Sequence, residues 1–194
     1  DNKKITAEVC VHHMHFNNSY YAELGNQIKC NPSIKMESDR LALIDALKGN
    51  KIDIIATDHA PHTWDEKNQD YPSAPAGLPL VQHGLQILMD FYHEGILSLE
   101  MIVEKTSHNV AKRFQIKDRG YIREGYYADL TVLDLGKPYE VSKENILYKV
   151  GWSPFTGKTF NSSIFMTVVN GHIAFQDGKV NDDTPLGMQI EFDR

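Results

Sequence analysis

Asp58, His59 and His62 stand together just after an apolar run, in the stretch "IIATDHAPHTWDEK" that covers residues 54–67. A carboxylate at the end of a buried strand can give one oxygen to a Zn²⁺ ion. Its other oxygen can take the proton of a water whose pKa the ion has lowered to about 7, and deliver it to a leaving nitrogen. The same aspartate could instead end its strand in an Asx-turn, bonding only to nearby backbone. Residue types alone leave both readings open. His62, four residues on, has the reach to meet a substrate carboxylate. A second cluster lies in "VCVHHMH", residues 9–15, where His12 is a metal ligand by type and place. The alternative there is an inert surface histidine pair. A tetrahedral ion needs three or four ligands, and the chain has no HExxH and no pair of CxxC motifs. His13-x-His15 has the HxH spacing of some barrel metal sites, without the first-strand context such a pair requires. Asn31, after "QIKC", is a third polar group at the end of a short run.

These residues need elements to position them. Ile5–Val11 and Ile52–Thr57 read as buried strands, the second rich in β-branched residues. Between them, Ser19–Gly25 suggests one or two helical turns, with Gly25 as the stop. "ESDRLALIDALKGN" predicts a helix with Ser38 as N-cap, Gly49 as stop and Leu41, Ile44, Ala46 and Leu47 as its apolar stripe. Residues 59–79 hold four prolines and predict a long loop, a length that in a compact domain usually carries function or lacks order. Leu80–His93 predicts the longest helix, "SLEMIVEKTS" the next, and "NVAKRFQI" a short one capped by Asn109. After Gly120 the texture becomes alternating and turn-rich, with hairpin signals at Asn170-Gly171 and Asp177-Gly178. The chain therefore reads as α/β, with residues 1–118 in strand–helix units as in a β/α barrel and 119–194 as a small β-rich segment. In such barrels the chemistry sits where strands end and βα loops begin, and both histidine clusters fall at such places.

The bulk properties narrow the class. The 194 residues are 41% hydrophobic and 24% charged, with a formal net charge of −6, an ordinary composition for a soluble globular protein. A net negative chain lacks the basic face of a non-specific nucleic-acid binder. No apolar run approaches the ~20 residues of a membrane helix, and no signal peptide is legible. Cys10 and Cys30 read as two free buried thiols in a reducing cytoplasm. The start "DNKKITAEVC", without Met and almost at once strand-like, suggests a piece of a longer chain.

With those residues in view, the chain resembles the dihydroorotases of the amidohydrolase superfamily. The resemblance rests on "IIATDHAPHTWDEK", "CNPSIK", "APAG" and "ITAEVCVHH", the last similar to the family's sixth-strand segment with Val11 in place of a common proline. "GYIREGYYADLTVLDL" and "TVVNGHIAFQDGKV" resemble the β segments that flank such barrels. The resemblance implies the C-terminal part of a (β/α)8 metal-dependent hydrolase barrel with a small β unit at its C-terminus. It implies Zn²⁺, one or two ions, held in part by His12 and Asp58, with Asp58 as general base and then acid. Asn31 and His62 would bind the carboxylate and ring of dihydroorotate, assisted by backbone groups of Ala76 and Gly77, and Lys35 stands where the family more often has arginine. The implied reaction is the reversible cyclisation of N-carbamoyl-L-aspartate to dihydroorotate in pyrimidine biosynthesis. The implied partners are a small-molecule substrate, the N-terminal half of the barrel, a second copy in a homodimer and an aspartate transcarbamoylase. A hydantoinase- or allantoinase-type enzyme and a non-catalytic scaffold are the alternatives. The family's first-strand HxH pair, bridging carboxylated lysine or aspartate, fifth-strand histidine and substrate-binding arginine have no counterparts here. The isolated chain is therefore expected to be inactive, with the apolar faces of Ile52–Thr57 and Leu80–His93 awaiting a missing half.

Overall fold

In the computed structural model the described residues are 3–181 and 185–193. Strand β1 (Glu8–Cys10) runs parallel to β2 (Ile54–Ala56), with Glu8 opposite Ile54, Val9 opposite Ile55 and Cys10 opposite Ala56. Both strands are shorter than their apolar runs suggested. Ile5 is 81% exposed, and the approach to the ladder is held by Lys3 on Asp53 at 2.7 Å and by the Asp53 N–H on the Ala7 carbonyl at 2.9 Å. Val11 leaves the strand altogether and opens α1 (Val11–His15), so "VHHMH" is a helical turn and not a strand terminus.

The connection from β1 to β2 is helical. A 3₁₀ turn (Asn18–Tyr20) leads into α2 (Tyr21–Leu24), which stops at Gly25 with φ +48°, as the sequence suggested. A second 3₁₀ turn (Gly25–Ile28) precedes Cys30 and Asn31. "QIKC" is therefore not a strand, and Asn31 does not stand at a strand end. Helix α3 (Glu37–Lys48) begins one residue before the predicted cap. Met36 is the N-cap, its N–H donating to the Asp39 carboxylate at 3.1 Å, and Gly49 ends the helix. Ile44 and Leu47 are buried while Leu41 stays exposed, so the buried stripe is narrower than the hydrophobic pattern.

The predicted loop 59–79 contains a turn of helix, α4 (Trp64–Lys67). Its start is a reciprocal cap: the Glu66 carboxylate accepts the Thr63 N–H at 2.8 Å while the Glu66 N–H reaches the Thr63 hydroxyl at 3.4 Å. Such a pair satisfies donors that a helix start leaves without partners. Helix α5 (Gly84–His93) follows, then α6 (Leu99–Val103), capped by Ser98. A π-helical turn (Glu104–His108) runs straight into α7 (Asn109–Phe114). Asn109 therefore caps nothing, because His108 before it is already helical.

The remaining strands are β3 (Leu130–Asp134), β4 (Tyr139–Glu140), β5 (Thr159–Phe160), β6 (Ser163–Val169), β7 (His172–Gln176) and β8 (Lys179–Val180). Four form an antiparallel sheet in the order β3-β6-β7-β8. Its two hairpins turn at Asn170-Gly171 and Asp177-Gly178, all four residues having φ between +50° and +84°. Paired positive φ is what a type I′ hairpin demands and Asn-Gly and Asp-Gly supply.

Contacts group the chain into two bodies. One comprises the residues up to Leu88 with Glu140–Phe160, and its core includes Met14, Ile28, Leu47, Leu78, Ile87 and Phe160. The other comprises Met89–Tyr139 with the residues from Asn161 onward, and holds Ile102 and the four-stranded sheet. The expectation that Ile52–Thr57 and Leu80–His93 hold apolar faces in reserve is not met. Ile54, Ile55, Ile87 and Leu88 are already buried. No described helix is long and apolar enough to cross a membrane.

Candidate active site at the ends of the parallel strands

The register of β1 and β2 decides what comes together. Cys10 lies opposite Ala56, so His12 and Asp58 each follow their strand's last paired residue by two positions. Parallel strands end on the same side, and neighbours lie only ~4.8 Å apart. Asp58 turns sharply there, with φ +49°. That is the left-handed region, which among residues with a side chain Asp and Asn enter most readily. It leaves Asp58 exposed at the mouth.

His12 is completely buried, and neither of its ring nitrogens has a hydrogen-bond partner of good geometry. Burial, aided by the charge of neighbouring His13, pushes its pKa down to about 3, with the Thr57 backbone acting in the opposite direction. An orphaned, neutral imidazole costs stability as a plain core residue, whereas a lone pair held free of protons is what a metal requires. His12 therefore fits a metal ligand. Asn31 is exposed. The Asp58 charge reaches the same neighbourhood from the second strand. Burial first and Asp58 next push the Cys10 thiol up to about 12, and burial with Asp58 also raises Cys30, to about 11. Both cysteines are free, Cys30 buried and Cys10 half-buried.

The segment 59–79 folds back on itself beside these ends. The His59 Nδ1 accepts the N–H groups of Leu80 and Val81 at 3.0 and 3.2 Å, which places the proton of the neutral ring on Nε2. His62 Nε2 lies 3.1 Å from the Ala76 carbonyl, and the His62 carbonyl accepts the Trp152 indole N–H at 2.8 Å. Gly77 has φ +125°, and a Cβ there would sit 2.5 Å from the Ala60 carbonyl oxygen. Only glycine lets residues 60–62 approach 76–77 this closely. His62, Ala76 and Gly77 are thus brought together. Gly84 plays a similar part at the start of α5, where a Cβ would meet the Thr57 methyl at 2.8 Å.

Residues 2–174 match the amidohydrolase family. The chain belongs to the amidohydrolase family. Among curated relatives, a dihydroorotase of Endomicrobium trichonymphae is 37% identical over 174 residues, 89% of this chain and 41% of that protein. A dihydroorotase of Pyrococcus abyssi is 35% identical over 176 residues, covering 91% of this chain and 42% of that protein. The amidohydrolase chain thus spans about two-fifths of the length of the curated relatives it matches. Among solved structures, the L-hydantoinase of Arthrobacter aurescens superposes with a TM-score of 0.84 at 25% identity, over 91% of this chain and 40% of that one. The D-hydantoinase from Thermus sp. gives 0.82 at 23%. The fold is accordingly a partial barrel-type metal-hydrolase fold of mixed α/β structure, and the family is metal-dependent as a rule.

Several residues that pack within the first body carried no clear signal in the sequence. Lys67 is 1% exposed, with its ammonium on the carbonyls of Gly77 at 2.8 Å, Pro75 at 2.9 Å and Lys29 at 3.3 Å. Its helical turn was legible in "TWDE", an S/T-x-x-E cap signature, but its burial was not. Tyr148, Trp152 and Ser153 lie in a segment read as part of the C-terminal β unit, yet they pack in the first body. His15, the second member of the HxH pair, sits among the rings of Phe16, Tyr20 and Phe155.

His83 is buried with its Nδ1 facing the hydroxyls of Tyr148 at 3.3 Å and Ser153 at 3.2 Å. Burial lowers its pKa to about 4. A depressed histidine is neutral in the fold and charged in the unfolded chain, so the unfolded state binds more protons between about pH 6.5 and 4. Stability therefore falls as pH drops through that window, by about 3 kcal/mol at most from this group. Urea unfolding of His83→Phe against pH should show a correspondingly flatter acid limb. An unchanged limb would remove His83 from the account.

Proposed function

We propose that the chain is the C-terminal part of a cytoplasmic dihydroorotase, which interconverts N-carbamoyl-L-aspartate and dihydroorotate in pyrimidine synthesis. The observation that carries this is that His12 and Asp58 each follow, by two positions, the last paired residues of adjacent parallel strands, in a chain whose curated relatives named dihydroorotase are 31–37% identical. The proposal includes the roles expected from the sequence. His12 and Asp58 hold zinc, Asn31 and His62 hold the anionic substrate, and the backbone at Ala76 and Gly77 meets its ring. Residues 1–118 are proposed as barrel strands and helices and 119–194 as a β-rich domain segment. That division follows secondary-structure texture and is distinct from the two contact-defined bodies. The remaining barrel strands, a homodimeric partner and an associated transcarbamoylase belong to the same proposal.

A zinc ion bound at His12 and Asp58 would polarise the ring amide and supply hydroxide at neutral pH. Asp58 does the proton work. In the hydrolytic direction water adds to the ring carbonyl carbon, Asp58 takes its proton, and the carbon–nitrogen bond breaks as Asp58 returns that proton to the leaving nitrogen. His12 contributes a neutral nitrogen at neutral pH because burial keeps its proton off. His62 needs its ring turned to one side to meet a carboxylate, and the Ala76 carbonyl beside its Nε2 does that. Holding the substrate so costs the reaction little further ordering.

The structural likeness to hydantoinases supports a second reading, in which the ring opened is a hydantoin. A steady-state assay of the polypeptide containing this chain and its barrel partner strands decides between them. We expect kcat/KM for dihydroorotate to exceed that for hydantoin by on the order of a hundredfold or more, as for a site that reads a substrate's polar groups. The reverse order would overturn the dihydroorotase reading.

A further inference from the structure

We propose that Cys10, His12 and His13 form a metal-binding set within this chain, taking a borderline-soft divalent ion of the zinc class through one thiolate and two imidazoles. His12 is shared with the function proposed above, so the inference deepens that reading. The new ligands are Cys10 and His13.

One ligand atom from each of the three residues lies within 4.8 Å of the other two. A tetrahedral zinc-class ion needs its S and N ligands roughly 3.3–3.6 Å apart, from bond lengths near 2.3 and 2.05 Å, so binding draws the three atoms together by on the order of 1 Å. The fold brings them close for a simple reason. Cys10 is the last residue of β1 and His12 and His13 occupy the first turn of α1, so the change from strand to helix folds the ligands back over the strand end. The His12 and His13 ring centroids are 4.1 Å apart. His12 is fully buried with both nitrogens orphaned, and buried imidazoles with no other task are normally hydrogen-bonded.

His13 is oriented from outside the set. Its Nε2 lies 2.8 Å from the Pro32 carbonyl. A carbonyl only accepts, so that nitrogen carries the proton and Nδ1 keeps the lone pair. Metal-binding histidines are commonly held by such a backbone carbonyl. Cys30 is a neighbour and not a member, its Sγ being 3.2 Å from the same carbonyl. On binding, the Cys10 S–H bond breaks, the sulfur–metal bond forms and the proton leaves to solvent. A thiolate in the set favours zinc, cobalt or cadmium over magnesium, calcium or manganese.

The test is Co²⁺ titration of the 194-residue chain, with its thiols reduced, followed by absorption. Expected are tetrahedral cobalt bands together with a thiolate-to-cobalt charge-transfer band, both present in Cys30→Ser. In Cys10→Ser the charge-transfer band disappears and affinity drops on the order of a hundredfold. A measurement that needs no variant runs alongside: Zn²⁺ should protect Cys10 from alkylation, mapped by mass spectrometry. Cobalt bound without a sulfur band, a band that survives Cys10→Ser, no cobalt bound, or Cys10 alkylated equally with and without Zn²⁺ would each overturn the proposal. A preference for hydantoin in the turnover assay would overturn the dihydroorotase reading and leave the sulfur band untouched, so the two failures are distinguishable.

Discussion

Asp58→Asn should lower kcat of the complete enzyme by at least about a thousandfold, within the range a positioned acid–base group contributes, while leaving the fold intact. Asparagine keeps the size of the side chain and tolerates the left-handed backbone that Asp58 adopts at φ +49°. What it loses is the ability to accept a proton and a metal-ligating charge. Because Asp58 is exposed, the substitution should move stability by no more than about 0.5 kcal/mol. Turnover and urea unfolding measured on the same preparation separate the two effects. A kcat within tenfold of the parent would remove Asp58 from the chemistry. A loss of stability equal to the loss of activity would make it a turn residue, the Asx alternative that its sequence left open.

The second large effect is at Lys67. Its ammonium reaches three backbone carbonyls, those of Lys29, Pro75 and Gly77, from a side chain only 1% exposed. Burial pushes its pKa down to about 8, so it remains mostly charged at neutral pH. Lys67→Met fills similar space but removes the donor of the Pro75 and Gly77 carbonyls, while the Lys29 carbonyl keeps the Gly77 N–H at 2.8 Å, and each buried group left unpaired costs ~1–3 kcal/mol. We expect a loss of about 3–5 kcal/mol in urea unfolding. The three carbonyls tie the residues just before Asn31 to those around Ala76 and Gly77, so substrate KM should rise more than kcat falls. A loss below about 1 kcal/mol, with KM unchanged, would show that the loop holds itself by other means.

The local features were legible in the residues for a common reason: each depends on neighbours in the chain. Gly25 and Gly49 as stops and the two hairpin turns at Asn170-Gly171 and Asp177-Gly178 follow from backbone preferences that act over a few positions. So does the Thr63–Glu66 cap, although the proline-rich stretch around it read as featureless loop. Element ends were less legible. Val11 is as apolar as Val9, and nothing in "EVCVHH" reveals that the ladder with β2 ends at Cys10.

Residue types and the motif around Asp58 nominated His12, Asn31, Asp58 and His62, and the family resemblance added Ala76 and Gly77. Only the tertiary structure decided how they are arranged. The parallel register of β1 and β2 sets His12 and Asp58 at one edge, a pairing between residues 46 apart that no local pattern encodes. Burial strips His12 of its partners and its proton, and it encloses Lys67 in carbonyls from two separate stretches, Lys29 and the 75–77 segment. Charge and hydrogen-bonding capacity are properties of a side chain, but desolvation is a property of its surroundings. The sequence therefore determined the chemistry on offer, and the packing of the strands and the 59–79 segment determined which of those groups are buried, as His12 is, and which stay open to solvent, as Asp58 and Asn31 do.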